Sequence, residues 1–280
     1  MGSSFLITLR EGLEASLILA ILLTYLKKTD RWADARYVWT GTVAAIGLCL
    51  VAGIIIFVAL DGLNGKVEYA VEGFIALIAT GVLTHMIFWM RSHARTLGKE
   101  LRDKVDASAA PALAIIAFMA VAREGLETVL FLLSAETASA AGSDVVIGGL
   151  IGLALAIVVG VAVYRSGNRL NLRTFFNVTA VLLLLFAAGL AGKAVHELRL
   201  LISWEAGSLV SSAWTLESGV FATGTFYDFM KGLFGWHKSP ENIRVIAYFA
   251  YLIPVLVVYR RGGSRPPSPT AGSKEVAQVA

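Results

Sequence analysis

The stretch FLITLREGLEASLILAILLTYL, Phe5–Leu26, decides the fold. About 20 apolar residues span a bilayer core as a helix. Its twelve Phe, Leu and Ile residues return roughly 4–7 kcal/mol on insertion, whereas Arg10, Glu11 and Glu14 at mid-helix cost roughly 8–10. At 100° per residue the three charges share an arc of about 100°. A helix with that arc cannot turn it to lipid, so it must meet water or a matching polar face of the protein.

A matching face exists in the sequence. Arg-Glu-Gly-Leu-Glu stands at 10–14 and again at 123–127, each time inside an apolar segment. Seven such segments reach spanning length, near Phe5–Leu26, Val38–Leu60, Val67–Met90, Ala112–Leu133, Val145–Tyr164, Phe175–Glu197 and Val245–Tyr259. The last reaches spanning length by including Ile243. The motifs lie in the first and fourth segments, so with three helices per unit the second copy starts from the opposite side, as in transporters built from inverted repeats. Composition agrees: of 280 residues 57% are hydrophobic and 16% charged, with a mean hydropathy of +0.72. A soluble domain holds about 25% charged residues, which excludes an ordinary globular enzyme.

The odd-numbered loops and the C-terminal tail hold 16 Lys and Arg, and the even-numbered loops hold 5. The positive-inside rule then places the N-terminus outside and the C-terminus inside. The expected fold class is an all-α integral membrane protein of seven transmembrane helices, an inverted 3+3 repeat plus one extra helix. Repeat 1 covers about 5–90, repeat 2 about 112–197, a loop 198–244, and the seventh helix about 243–260. Together they form a single transmembrane domain over 1–260, followed by a disordered cytoplasmic tail at 261–280 whose composition builds no core. The first apolar stretch lacks a basic n-region and contains charges, so it is not a cleavable signal. The net charge of +4 resides in loops without interleaved aromatics, so no nucleic-acid partner is expected. The single cysteine, Cys49, excludes an intrachain disulfide.

Two intrahelical pairs, Arg10–Glu14 and Arg123–Glu127, would serve packing alone. They leave Glu11 and Glu124 over, a costly arrangement in a membrane unless it has a use. Four carboxylates and two guanidiniums sum to −2, and Glu68 and Glu72 add acids near the outer end of the third helix. Oxygen-rich, net negative sites suit hard cations such as iron, manganese, magnesium or calcium. No Cys or Met neighbours the motifs, which argues against soft-metal copper chemistry, and no Glu-x-x-His pair supports a di-iron enzyme. The metal candidates are therefore Glu11, Glu14, Glu124, Glu127, Glu72 and Glu68, with Arg10 and Arg123 holding carboxylates in place. His196 and Glu197, ending the sixth helix, are candidates for the outer mouth. Lys193, one turn inside, either snorkels or neutralises an acid. Aromatics at 198–244, among them Trp204, Trp214 and Trp236, suit an interfacial or re-entrant helix or a docking face. Gly41, Gly47, Gly53, Gly189 and Gly192 are expected at close helix contacts.

The paired motifs, together with Ile87–Arg91, Val121–Glu127, Arg169–Leu172 and Tyr251–Pro254, resemble the oxidase-dependent iron transporter family. That family comprises the fungal high-affinity iron permeases and the bacterial Efe-type permease, and the bacterial branch is the more similar. The resemblance implies import of iron, as Fe3+ or Fe2+, across the bacterial cytoplasmic membrane, with iron as transported substrate and no tightly bound organic cofactor. It also implies two partners, a periplasmic iron-binding protein and a haem peroxidase, besides the lipid bilayer. The spacing Glu68-x-x-x-Glu72 departs from the family's Glu-x-x-Glu. The competing readings are a carboxylate-lined transporter of other divalent cations or protons, and an intramembrane enzyme. The enzyme would need a nucleophile and base on opposed helices.

Overall fold

The structure is a computed structural model and describes residues 2–93, 97–138, 142–166, 172–205 and 207–261. Among them are nine α-helices, one 3-10 turn at Trp32–Asp34 and one isolated β-bridge between Ser212 and Glu241. The helices are α1 (Gly2–Lys28), α2 (Ala35–Asp61), α3 (Lys66–His93), α4 (Leu97–Asp106), α5 (Ala112–Ala138), α6 (Gly142–Ser166), α7 (Leu172–Leu201), α8 (Thr225–Phe234) and α9 (Asn242–Arg261). Five of them, α2, α3, α6, α7 and α9, are long and apolar enough to cross a membrane. The other two long helices, α1 and α5, carry the charged motifs. Each expected segment lies within a helix, and the helices overrun the apolar runs at most ends because their first and last turns are polar. The third connection contains α4, and the tail beyond Arg261 and residues 169–171 lie outside the described residues.

The long helices pack in a crossed pattern, α1 along α6, α2 along α5 and α3 along α7. Glycines set the closeness of the first two pairs. A Cβ at Gly12 would lie 2.8 Å from the Ala156 Cβ, and one at Gly152 would lie 2.2 Å from the Thr8 hydroxyl. A Cβ at Gly125 would lie 2.5 Å from the Cys49 sulfur, and one at Gly41 only 2.0 Å from the Ala114 carbonyl oxygen. The glycine inside each Arg-Glu-Gly-Leu-Glu is thus the point where its helix meets its packing partner, α6 for α1 and α2 for α5. Gly47 departs from the expectation, because open space surrounds it.

These contacts also fix direction. Residues 8, 12 and 16 of α1 meet 152, 156 and 160 of α6, so the two run parallel, as do α2 and α5 through 41 with 114 and 49 with 125. Antiparallel α1 and α5 follow from two buried clusters. Ile7 joins Phe131 in one, while Leu26 joins Leu113 in the other. Gly73 against Glu197 and Thr80 against Ala187 make α3 and α7 antiparallel as well. α9 closes the side of α7 and α3, where the Thr84 and Tyr251 hydroxyls lie 2.5 Å apart and Arg91 donates to the Tyr259 carbonyl. Pro254 interrupts its hydrogen-bond ladder without ending it, as neighbouring helices allow in membrane proteins.

The segment between α7 and α9 is folded back on itself. Ala213 donates to the Pro240 carbonyl and Leu216 to that of Lys238, while the Trp214 and Trp236 rings stack at 5.3 Å. Its one helix, α8, has ten residues and packs against α7 and α1. Gly235 ends α8 in the left-handed region at φ +67° and lies so close to Gly189 of α7 that neither position has room for a Cβ.

Candidate functional site

The arc of charges on α1 is turned wholly inward. Arg10, Glu11 and Glu14 are 2%, 1% and 5% exposed. Arg10 reaches both acids of its own helix, at 3.3 Å to Glu11 and 3.2 Å to Glu14. Because α5 crosses α1 here, Glu124 enters the same space, and one carboxylate oxygen from each of Glu11, Glu14 and Glu124 lies within 4.8 Å of the others. Glu127 completes the set from the next turn of α5, held by Arg123 at 3.0 Å. Buried oxygens of Glu11, Glu124 and Glu127 have no hydrogen-bond partner among the described residues.

Two unit charges 4.8 Å apart repel by about 3.5 kcal/mol at an effective dielectric of about 20. Three acids so placed need a cation or protons between them, and the two arginines supply only part of the compensation. The chemistry available is capture of a hard cation by carboxylate oxygens, with protons competing for the same atoms.

Identical motifs sit in unlike surroundings. The Arg10 guanidinium is enclosed, with Nη1 3.2 Å from the Met86 sulfur. Arg123 is 40% exposed and lies over the Trp89 ring at 4.5 Å, with Glu124 at 3.9 Å. Met86 corrects the expectation that no sulfur stands beside the motifs, and Cys49 against Gly125 does so on the other side. Both come from helices packed on the motif helices, a proximity that spacing along the chain does not express. Trp89 was visible only as part of the Ile87–Arg91 motif.

Glu68 and Glu72 do not join this cluster. Glu72 pairs with Lys193 of α7 at 2.7 Å, so Lys193 neutralises an acid rather than snorkelling. Glu68, half-buried one turn away, has no ion pair among the described residues within 4 Å. His196 Nδ1 donates a 2.8 Å hydrogen bond to the Glu241 carboxylate, which also accepts one from Arg199 at 2.8 Å. Glu197 is 9% exposed on the same turn. Between α7, α8 and the start of α9, His196, Glu197 and Glu241 border a cavity of about 150 Å³.

The profile of the iron permease FTR1 family matches residues 1–260. The chain is 38% identical to a protein named ferrous iron permease EfeU from Yersinia pestis, over 96% of this chain and 95% of that one. It is 39% identical to ferrous iron permease EfeU of Escherichia coli O6:K15:H31, over 91% and 94%. The same identity and coverage hold for a putative inactive ferrous iron permease EfeU of Escherichia coli K12. No solved structure matches.

Proposed function

The chain belongs to the FTR1 iron permease family, and from that premise we propose that it imports iron through the carboxylates of Glu11, Glu14, Glu124 and Glu127. It is a multi-pass membrane transporter and not an enzyme, with iron as the transported substrate. The single observation behind the site is the convergence of three acids from α1 and α5 within 4.8 Å, each with a buried oxygen that has no hydrogen-bond partner among the described residues. Four acids against Arg10 and Arg123 leave a formal charge of −2, which one Fe2+ neutralises and Fe3+ exceeds. That balance favours the ferrous ion, as do the names of the relatives.

In this reading all seven long helices span the bacterial cytoplasmic membrane, with α1–α3 and α5–α7 as inverted repeats and α9 as the extra span. The antiparallel pairing of α1 with α5 and α3 with α7 supports it. So does the exchange of partners between triplets, α1 with α6 and α5 with α2. The N-terminus then lies outside and the arriving ion passes Glu68, Glu72, His196 and Glu197 before reaching the paired motifs. Arg10 and Arg123 fix the acids, and release inward follows movement of one triplet against the other. The folded segment 207–241 is the face offered to the periplasmic iron-binding protein and the haem peroxidase implied by the family resemblance.

The test is anaerobic titration of Fe2+ into the purified protein by calorimetry. One ion is expected, with affinity at least tenfold lower in Glu11→Gln and in Glu124→Gln and retained in Ser211→Ala. Unchanged affinity in both Gln variants would remove the site. Equal competition by Mn2+ or Zn2+ would instead favour the transporter of other divalent cations.

A further inference from the structure

The cavity beside Glu197 has no part in holding a cation at the paired motifs, and its walls have the opposite character. Lys193 and His196 come from α7, Lys231 from α8, His237 from the turn after α8 and Arg244 from the first turn of α9. Two acids, Glu197 and Glu241, share the wall. Glu241 is already engaged by His196 and Arg199, and Lys193 by Glu72. That leaves Lys231 and Arg244 without an ion pair within 4 Å among the described residues, with Glu241 and Glu197 facing Arg244 and Asp228 facing Lys231 at longer range.

Their placement is built, not accidental to a loose loop. The Gly189–Gly235 contact presses the end of α8, which carries Lys231, onto α7. The Trp214 indole N–H donates to the His237 carbonyl at 3.2 Å, and Trp236 anchors to the Phe221 carbonyl at 3.0 Å. A Cβ at Gly192 would lie 3.2 Å from Arg244, so a glycine of α7 also makes room for that side chain. Like charges held this way repel unless something negative lies among them.

We propose that this cavity is a binding site for a phosphate-class oxyanion, held by Lys231 and Arg244 with His237 as a further donor. A cavity of about 150 Å³ has ample room for a tetrahedral ion of five heavy atoms, since about 10–15 Å³ of such space already holds one water. Arginine and lysine together give a forked donor and a point charge, the usual pair for such an anion. Two titratable groups outside the spans report the same field. Burial, then Arg244 and Lys231, hold the His237 imidazole down at about 3, and burial and Arg244 lower the Lys231 ammonium. A bound anion relieves both. His196 and Glu197 of this wall also lie on the route proposed for the arriving ion, so a bound anion would sit beside that route.

The chemistry has two sources, a free phosphate ion or the phosphate of an anionic lipid headgroup, since the cavity lies where the helices end. The experiment measures the melting midpoint of the full chain, delipidated in a neutral detergent. One arm adds sodium phosphate against sodium chloride of equal ionic strength, and the other adds phosphatidylglycerol. A rise with phosphate identifies the free ion, and a rise with phosphatidylglycerol alone identifies the lipid. In Lys231→Gln and Arg244→Gln either rise is expected to need an at least tenfold higher half-saturating concentration. Nitrogen-15 NMR of His237 gives a readout that a structural role would not move, a pKa raised by the ligand in the wild type. No rise in either arm, a rise equal with chloride, or equal rises in wild type and variants would overturn the site.

Discussion

Arg10→Gln and Arg123→Gln remove the same residue from the same motif, and the structure expects unequal results. Arg10 is 2% exposed and stands 3.3 and 3.2 Å from Glu11 and Glu14. At an effective dielectric of about 20 each contact is worth about 5 kcal/mol of gross attraction. Desolvation offsets most of that while the pair is intact. Removing one partner leaves buried charge uncompensated, at about 3–5 kcal/mol. Arg123 is 40% exposed, with acids at 3.0 and 3.9 Å, and solvent screening reduces its loss to about 1 kcal/mol. For a chain of this size about 2 °C accompanies each kcal/mol, so Arg10→Gln should lower the melting midpoint by about 6–10 °C and Arg123→Gln by about 2 °C. Tryptophan fluorescence in detergent follows both. Adding Glu11→Gln to Arg10→Gln should recover part of the loss, because it removes an acid left without its cation. Equal shifts for the two arginines, or no recovery, would refute the asymmetry.

Gly125→Ala puts a Cβ 2.5 Å from the Cys49 sulfur and should cost about 1–3 kcal/mol; Cys49→Ala in the same chain should relieve it, and Gly47→Ala, in open space, should cost nothing measurable by the same melt. Lys193→Met strands Glu72, its 2.7 Å partner, so stability should fall and return in the double variant with Glu72→Gln. His237 is held at about 3 by burial and by Arg244, Lys231, His196 and Lys238, against an ordinary 6.5. Between those values the unfolded chain binds a proton that the fold refuses. Stability should therefore fall as pH drops from about 6.5 toward about 3, with a flatter profile in His237→Gln.

Much of the fold was legible because spanning helices announce themselves by length and apolarity. Phe5–Leu26 and Ala112–Leu133 were readable for a further reason, since their repeated charges demand a partner and the two motifs are each other's partner. What remained hidden belongs to contacts between segments distant in the chain. Nothing in the spacing places Met86 on Arg10 or Trp89 under Arg123, since both depend on how α3 docks against α1 and α5. Identical motif sequences likewise gave no sign that one arginine is enclosed and the other exposed. Glu72 read as a metal candidate by its type, whereas its neighbour Lys193 becomes visible only when α3 and α7 are laid antiparallel. The aromatic segment after α7 suggested an interfacial helix. Its folded turn, which assembles Lys231, His237 and Arg244, rests on the Gly189–Gly235 approach and two tryptophan hydrogen bonds.

The most direct test of the carboxylate pathway is radio-iron uptake into proteoliposomes, with iron supplied separately as Fe2+ and Fe3+. Wild type is compared with Glu14→Gln and Glu127→Gln, one acid from each motif. The expected result is saturable uptake of Fe2+ by the wild type, lost in both variants although both remain folded by fluorescence. Uptake persisting at the wild-type rate in both would contradict the assignment and make the paired motifs a packing device.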